Sequence, residues 1–140
     1  MIYHFRVHKG RDGLWTECLE LSGCVTQADS MSELQRNARE ALNLYLQEPE
    51  DSQLVFPLPT HHSGKDIIEV PVDPGVAFSV VLRNYRISNK YTQRQVAKKL
   101  GMKNLYSYQR LERRSNPNLE TLQRIKKVFP DLSVDYVLSL

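Results

Sequence analysis

Residues 92–112 read TQRQVAKKLGMKNLYSYQRLE, and they decide the fold of the second half of the chain. Thr92 with Gln95 three positions later predicts a capped helix start, because each side chain can bond the other residue's backbone. Gly101 predicts where that helix ends, since glycine adopts the left-handed backbone of a helix C-terminus at little cost. A second helix then turns an apolar residue inward at every third position: Leu105, Tyr108 and Leu111. The stretch therefore predicts a helix-turn-helix.

Polar side chains on the outer face of this motif predict contact with DNA. Amide, hydroxyl and guanidinium groups suit base edges, whereas cations and helix N-termini suit phosphates. The candidates for base edges are Asn104, Tyr106, Ser107 and Arg110, and the candidates for phosphate are Gln93, Arg94, Lys103 and Arg113, with Gln109 on the same face. For each of them an exposed polar group without a base contact stays the alternative, because many contacts only position a protein on the duplex.

The charge distribution divides the chain. Residues 1–75 hold 6 Lys+Arg against 12 Asp+Glu, whereas residues 76–140 hold 13 against 4, so the net charges are −6 and +9. A basic half that coincides with a helix-turn-helix pattern indicates nucleic acid as its partner, and an acidic half indicates a different one. We therefore predict two domains, residues 1–72 and residues 73–140.

The first half has the pattern of a small α+β domain. Ile2 to Val7 and Leu14 to Leu19 predict a hairpin around a glycine-containing turn, and Val25 with Thr26 predicts a further strand. Ser30 and Glu33 predict the start of an amphipathic helix that ends before Pro49. The stretch from Glu48 to Gly64 is rich in Pro, Ser, Asp and His and predicts a loop, and Ile67 to Val72 predicts the last strand.

Further helices complete the all-α second half. Asp73 before Pro74 predicts a helix start, and the apolar spacing continues to Ile87. Asn118 predicts the start of another helix, and Ser133 that of a short last one. The apolar tail from Val134 to Leu140 either forms a dimer contact or closes the core of the monomer.

The residues do not form a convincing catalytic or metal set. Glu17, Glu20, Asp29 and Glu33 lie close in sequence, but no nucleophile or histidine has a matching spacing, and charged side chains are mostly solvated. His61 and His62 lie in a polar loop without companion ligands. Cys18 and Cys24 match no common zinc pattern and are expected to be free thiols in a reducing cytoplasm. No segment resembles a signal peptide or a membrane span. We expect no enzyme activity and no cofactor.

The second half resembles the lambda-repressor-like, or Xre-type, DNA-binding domain. The resemblance rests on Thr92-Gln93, Ala97, Leu100-Gly101, Leu111-Glu112, Asn116-Pro117 and Leu119 through Leu122. It implies that Gln93 binds a phosphate, that Glu112 pairs with Arg86, and that the protein binds a palindromic operator as a homodimer or higher homo-oligomer formed through this second half. The segment from Gly101 to Glu112 is one residue longer than the compact form of the family, so the turn is displaced.

The first half resembles the N-terminal domain of the HicB antitoxin family. The residues concerned are Gly13-Leu14-Trp15, Glu20 through Ser30, Asn37 through Leu42, Tyr45-Leu46, and Ile68 through Pro71. Leu19 and Ser22 stand where prolines are frequent in that family. The resemblance implies a partial ribonuclease H-like fold, one small sheet with a helix across it, that lacks nuclease activity.

That resemblance also implies a partner, a HicA-like toxin, which is a small basic protein that cleaves RNA. An acidic domain would attract a basic toxin and cover its RNA-binding surface. The candidate contacts are the exposed-type carboxylates Glu17, Glu20, Asp29, Glu33 and Glu40. The leading hypothesis is thus a type II antitoxin that neutralises a toxin and represses its own operon. The alternative is a stand-alone transcription regulator whose first domain senses a ligand or oligomerises.

Overall fold

A computed structural model describes residues 1–139 and divides them into two compact units. The first unit consists of residues 1–46 and 56–73 together with Ser139, and the second consists of residues 47–55 and 74–138. The main division, between Asp73 and Pro74, lies one residue from the boundary predicted from the sequence. Residues 47–55, however, pack with the second unit although they precede part of the first along the chain. No helix within residues 1–139 is long and apolar enough to cross a membrane.

The first unit contains an antiparallel sheet of four strands. They are β1 (Ile2–Gly10), β2 (Gly13–Cys18), β3 (Val25–Ala28) and β4 (Ile67–Pro71), in the order β3-β2-β1-β4. The opening hairpin forms as predicted, and its strands pair up to Gly10 and Gly13, on either side of the turn. Gly13 has a φ of +144°, and a side chain there would also collide with the Ala28 carbonyl at the edge of β3. The glycine therefore allows the tight turn beside β3.

Helix α1 (Met31–Tyr45) covers one face of this sheet. Its first turn is capped by Ser30, whose hydroxyl accepts a hydrogen bond of 3.3 Å from the Glu33 amide. Leu34, Ala38 and Leu42 recur every four residues and are fully buried, as a helix that packs one stripe against a sheet requires. Tyr3 and Phe5 on β1 are also fully buried, so the core of the unit lies between this stripe and the sheet.

The second unit consists of helices, as predicted. They are α2 (Pro74–Ser88), α3 (Gln93–Lys99), α4 (Leu105–Leu111), α5 (Leu119–Val128) and α6 (Val134–Leu138). Helix α2 is the central element, because nine of its fifteen residues are buried. Asn118 caps α5 through the Thr121 amide at 2.8 Å. The α+β class predicted from the sequence is therefore confirmed.

The last helix fills one of the two roles that the sequence left open, because it closes the core of its unit. Val137 is 3% exposed and closes the core of the unit, whereas Tyr136 and Leu138 are exposed. Ser133 accepts a hydrogen bond from the Tyr136 amide at 3.1 Å, which confirms the predicted helix start. Leu140, the end of the apolar tail, lies outside the described residues.

Candidate nucleic-acid interface

Local hydrogen bonds fix both ends of α3, the first helix of the pair predicted from residues 92–112. Thr92 accepts a bond of 3.1 Å from the Gln95 amide, and the Gln95 side chain accepts one of 2.8 Å from the Thr92 amide. At the other end of α3, Gly101 has a φ of +70°. The Gly101 and Met102 amides bond to the carbonyls of Lys98 and Ala97, which is the Schellman arrangement of a helix end. The predicted cap and turn are both confirmed.

Asn104 starts α4 in a way that limits its predicted role as a base reader. Its side-chain oxygen accepts bonds from both the amide and the hydroxyl of Ser107, at 2.8 and 2.9 Å. The oxygen therefore serves as the N-cap of the helix, and only the amide hydrogens of Asn104 remain for a base or phosphate. The Ser107 hydroxyl donates its hydrogen to the same cap, so this side chain can act on DNA only as an acceptor.

A buried carboxylate ties α4 to α2. Arg86 donates to the two oxygens of Glu112 at 2.6 and 3.0 Å, and both side chains are at most 1% exposed. This is the pairing that the sequence resemblance implied. A second arginine joins it: Arg83 donates to the Glu112 carbonyl, and its Nε lies 3.7 Å from the carboxylate. Burial lowers the pKa of Arg83, and the charge of Glu112 partly offsets that effect.

Sequence reasoning missed Arg83 because the apolar pattern of α2 assigns its position to the core. A guanidinium can occupy that position because Glu112 supplies the opposite charge and a carbonyl acceptor. Tyr108 packs beside them and is fully buried, as predicted. Burial, followed by the nearby Glu112, raises the pKa of its hydroxyl. The spacing of α3 and α4 relative to α2 is thus set by a buried charged cluster.

The outer face of α4 presents the remaining candidate base readers. Tyr106 is 55% exposed, and the guanidinium carbon of Arg110 lies 5.9 Å from the centre of its ring. At this distance the guanidinium is within reach of a weak cation–π interaction with the ring. Both residues extend from a helix that the Glu112 cluster holds in place, as base-edge readout in a groove requires.

A cationic cavity lies where α3 turns into α4. Its volume is about 370 Å³, and the exposed residues Arg94, Lys98 and Lys103 line it together. Arg94 and Lys103 are two of the predicted phosphate contacts. Lys98 was not among them, although its place in the last turn of α3, shortly before Gly101, could have indicated it. The three cations together suit a phosphate chain.

The other candidates contact residues of the chain itself. Gln93 is only 8% exposed, and its side-chain nitrogen Nε2 donates to the Glu50 carbonyl at 2.7 Å and to the Glu112 carboxylate at 3.3 Å. Its oxygen accepts a bond of 3.1 Å from Gln109. The Arg113 guanidinium lies 3.1 Å from the Glu50 carboxylate. Three predicted DNA contacts, Gln93, Gln109 and Arg113, therefore lie beside residues 47–51.

Comparison with known protein families supports the interpretation of this geometry. Residues 82–137 match a family described as helix-turn-helix. The match begins within α2 and extends into α6, so it contains α3, α4 and the Arg86–Glu112 cluster. The second unit is a helix-turn-helix domain. The protein is accordingly a DNA-binding transcription regulator. The match covers less than half of the chain and does not extend to the first unit, and comparison with curated proteins finds no match.

Outside the helix-turn-helix domain, the first unit holds the five carboxylates predicted to bind a partner protein. Four of them, Glu17, Asp29, Glu33 and Glu40, are exposed or half-buried. Glu20 differs, because its side chain is 2% exposed. It accepts bonds from the His4 amide, the His4 ring and the Thr60 amide at 2.9, 2.8 and 3.2 Å. The prediction that Glu20 lies on the surface was therefore wrong. Its side chain instead joins β1 to the loop around Thr60.

An acidic cavity of about 540 Å³ lies beside the hairpin turn of the first unit. Asp12, Asp29 and Glu33 contribute three carboxylates to it against one guanidinium, that of Arg11, and Trp15 forms part of its wall. Trp15 is 39% exposed, and its ring stacks on His8 with the centres 4.1 Å apart. Sequence reasoning assigned Trp15 only to a strand, because alternation along β2 cannot show which face of the sheet α1 leaves uncovered.

The two thiols are buried and free of disulfides. Burial raises the pKa of Cys18 to about 12 and that of Cys24 to about 11. In the case of Cys18, the nearby Glu20 carboxylate acts in the same direction. Within residues 1–139, no group of three or more His, Cys, Asp or Glu side chains is placed to hold a metal ion.

Proposed function

We propose that the protein is the antitoxin of a type II toxin–antitoxin system. Its first unit would bind and neutralise a HicA-like toxin that cleaves mRNA, and its helix-turn-helix domain would repress the operon that encodes both proteins. On this proposal the chain has no enzyme activity of its own and acts in the cytoplasm. The acidic cavity beside Trp15 carries the proposal, because it lies in the unit that holds the HicB-like residues.

An excess of carboxylates over cations and an exposed aromatic ring both support a basic partner at this cavity. Asp29 and Glu33 line it together with Asp12, so a lysine- or arginine-rich surface would find several carboxylates at one place. Aromatic side chains frequently supply much of the binding energy of protein interfaces, and Trp15 is already oriented by its stacking on His8. Glu17 and Glu40 would add to the attraction at longer range. Glu20 would act indirectly, by holding the loop around Thr60 on β1.

A palindromic operator is bound by two copies of a helix-turn-helix domain. The exposed residues of the last helix support such a homodimer. Tyr136 and Leu138 are exposed on α6, and Leu138 lines a cavity of about 520 Å³ together with the apolar side chains of Phe78, Leu122, Val134 and Val137. A second copy that covers this surface would place two copies of α4, the helix that presents the candidate base readers, on a palindrome, with half-sites about 34 Å or a multiple of that apart.

The proposal is tested with the full chain and the small basic protein encoded by a neighbouring reading frame. Purified chain at saturating concentration is expected to stop RNA cleavage by that protein. The variant D29N/E33Q/E40Q is expected to neutralise it at least about tenfold less well, because two carboxylates of the cavity and one that acts at longer range are lost. The variant E120Q/D131N/D135N removes as many charges from the helix-turn-helix domain and is the matched control. Undiminished cleavage at saturating wild-type chain would exclude neutralisation.

The same cavity favours one alternative, a stand-alone regulator whose first unit senses a small ligand. A polar cavity of this size beside an aromatic ring fits such a molecule. The two hypotheses differ in what occupies the cavity. Quenching of Trp15 fluorescence by the basic protein, lost in D29N/E33Q, supports the antitoxin. Quenching by cell metabolites, with no binding of the basic protein, supports the alternative.

A further inference from the structure

Residues 47–55 form a segment that we term the acidic strap. It follows α1 in the sequence but packs within the compact unit of the helix-turn-helix domain. It contains Glu48, Glu50 and Asp51. Counted by compact unit, the first has 9 Asp+Glu against 6 Lys+Arg, and the second has 7 against 13. The acid excess of the first half of the sequence therefore resides in good part on the strap, beside the basic domain.

The strap contacts Gln93, the first residue of α3, and Arg113, which lies just beyond α4. The Glu50 carbonyl accepts from Gln93 at 2.7 Å, and the Glu50 carboxylate pairs with Arg113 at 3.1 Å. Further along, Arg86 donates to the Gln53 side chain at 3.3 Å and to the Ser52 carbonyl at 3.5 Å. Glu50 is thus the residue through which the strap contacts both the first residue of α3 and a residue just beyond the end of α4.

Gln93 and Arg113 are two of the residues predicted to donate hydrogen bonds to DNA phosphates. A phosphate offers anionic oxygens to amide and guanidinium hydrogens, as Glu50 does with its carbonyl and carboxylate. Gln93 cannot bind a phosphate while its amide nitrogen is directed at Glu50 and Glu112. Arg113 likewise has its charge partly neutralised by Glu50. Carboxylates on the strap would also repel the phosphates of an approaching duplex.

The strap is held by polar contacts that can exchange for others. None of residues 47–55 is buried, and Leu54 and Val55 are exposed apolar residues. Residues 47–51 line a cavity of about 660 Å³ together with Gln109 and Arg113. By contrast, the flanking residues Leu46 and Phe56 are buried. The segment is therefore anchored at its two ends and only loosely attached between them, which permits displacement without unfolding of either end.

From these contacts we infer that the acidic strap is an intramolecular competitor for the DNA backbone. It occupies Gln93 and Arg113, lowers the affinity of the free chain for DNA, and must leave this site for full binding. The inference rests on DNA binding by the helix-turn-helix domain and is independent of the toxin.

The test compares two full-length variants with the same change in charge. In E48Q/E50Q/D51N the three strap carboxylates are neutralised. In the control, E120Q/D131N/D135N, three exposed carboxylates elsewhere in the same unit are neutralised. Binding to a mixed-sequence duplex of about 30 base pairs is measured at about 50 mM salt, where backbone electrostatics dominate. Circular dichroism and thermal unfolding establish that both variants fold.

We expect the strap variant to bind at least about tenfold more tightly than wild type, and the control to gain no more than about threefold from the general change in charge. Equal gains in the two variants, or no gain in the strap variant, would overturn the inference while DNA binding itself stands. If the strap variant and wild type both fail to bind the duplex, DNA binding fails as well.

Discussion

The two compact units each bury a glutamate, but they satisfy it in different ways. In the helix-turn-helix domain, Glu112 contacts two arginines of α2. In the first unit, Glu20 contacts backbone amides and a histidine ring. The first arrangement joins opposite charges, of which the Arg86–Glu112 pair belongs to a motif that a family resemblance can indicate. The second uses backbone groups that any sequence supplies, and so it has no such motif. The pairing of Glu112 with Arg86 was implied by the resemblance to lambda-repressor-like domains, whereas the sequence placed Glu20 at the surface.

The largest expected effect comes from breaking the charged cluster. Arg86→Ala should lower the free energy of unfolding by about 3–5 kcal/mol, because it removes two bonds from a buried carboxylate. The matched control is Arg39→Ala, which breaks the exposed pair with Asp73 and should cost less than about 1 kcal/mol. Urea unfolding followed by far-ultraviolet circular dichroism measures both. Similar losses for the two variants would show that the burial of the cluster adds nothing to the free energy of unfolding.

The corresponding change in the first unit is Glu20→Ala. It leaves the His4 and Thr60 amides without their acceptor and should cost about 1–3 kcal/mol. Trp15 is the only tryptophan of the chain, so its fluorescence reports the unfolding of the first unit. Glu17→Ala, at a half-exposed position near His8, serves as the control and should leave the midpoint nearly unchanged. A smaller loss for Glu20→Ala than for Glu17→Ala would contradict the structural role of Glu20.

DNA readout distinguishes side chains on α4 from those at the turn. Arg110→Ala should cost about 1–3 kcal/mol on the operator and little on random duplex, because a base contact is lost. Lys103→Ala should weaken binding to both and reduce the salt dependence, because a phosphate contact is lost. Titrations of the upstream region of the gene and of a scrambled duplex measure these effects. Equal losses for Arg110→Ala on the two duplexes would remove it from the base readers.

Removal of the cap of α3 should have a smaller effect. Thr92→Ala eliminates the hydroxyl that accepts from the Gln95 amide, and it should cost about 1 kcal/mol of unfolding free energy. Thr92→Ser keeps the hydroxyl and should stay close to wild type. If serine were as costly as alanine, the methyl group of Thr92 rather than the cap would be responsible.

The smallest effect concerns the thiols of the first unit. With pKa values of about 12 and 11, Cys18 and Cys24 should react with a disulfide reagent at pH 8 at least about a hundredfold more slowly in the folded protein than in urea. Because folding raises both pKa values, stability should be constant below the ordinary thiol pKa of 9 and fall as pH rises from there toward 12. Rapid reaction at pH 8 without denaturant would show that the unit opens locally.

The cap, the glycine turn, the amphipathic spacing of α1 and the hairpin were all predictable from the sequence. Each depends on residues a few positions apart, whose geometry the backbone itself restricts. The sequence did not indicate the tertiary contacts of Arg83, Trp15 and Lys98. An apolar pattern or a strand alternation does not show which side chains meet in the folded protein. The phosphate role of Gln93 and the base-reading roles on α4 stay predictions.

The sequence by itself determined that an α+β first half precedes a helix-turn-helix, and that the two halves differ in charge. These properties follow from local periodicity and composition. Only the tertiary structure decided that Glu20 is buried and that the acidic strap lies beside Gln93 and Arg113. Such contacts join residues that are far apart in sequence, and their formation depends on which surfaces the packed elements leave open. A loop rich in Pro, Ser and Asp carries no periodic pattern that would reveal such a contact.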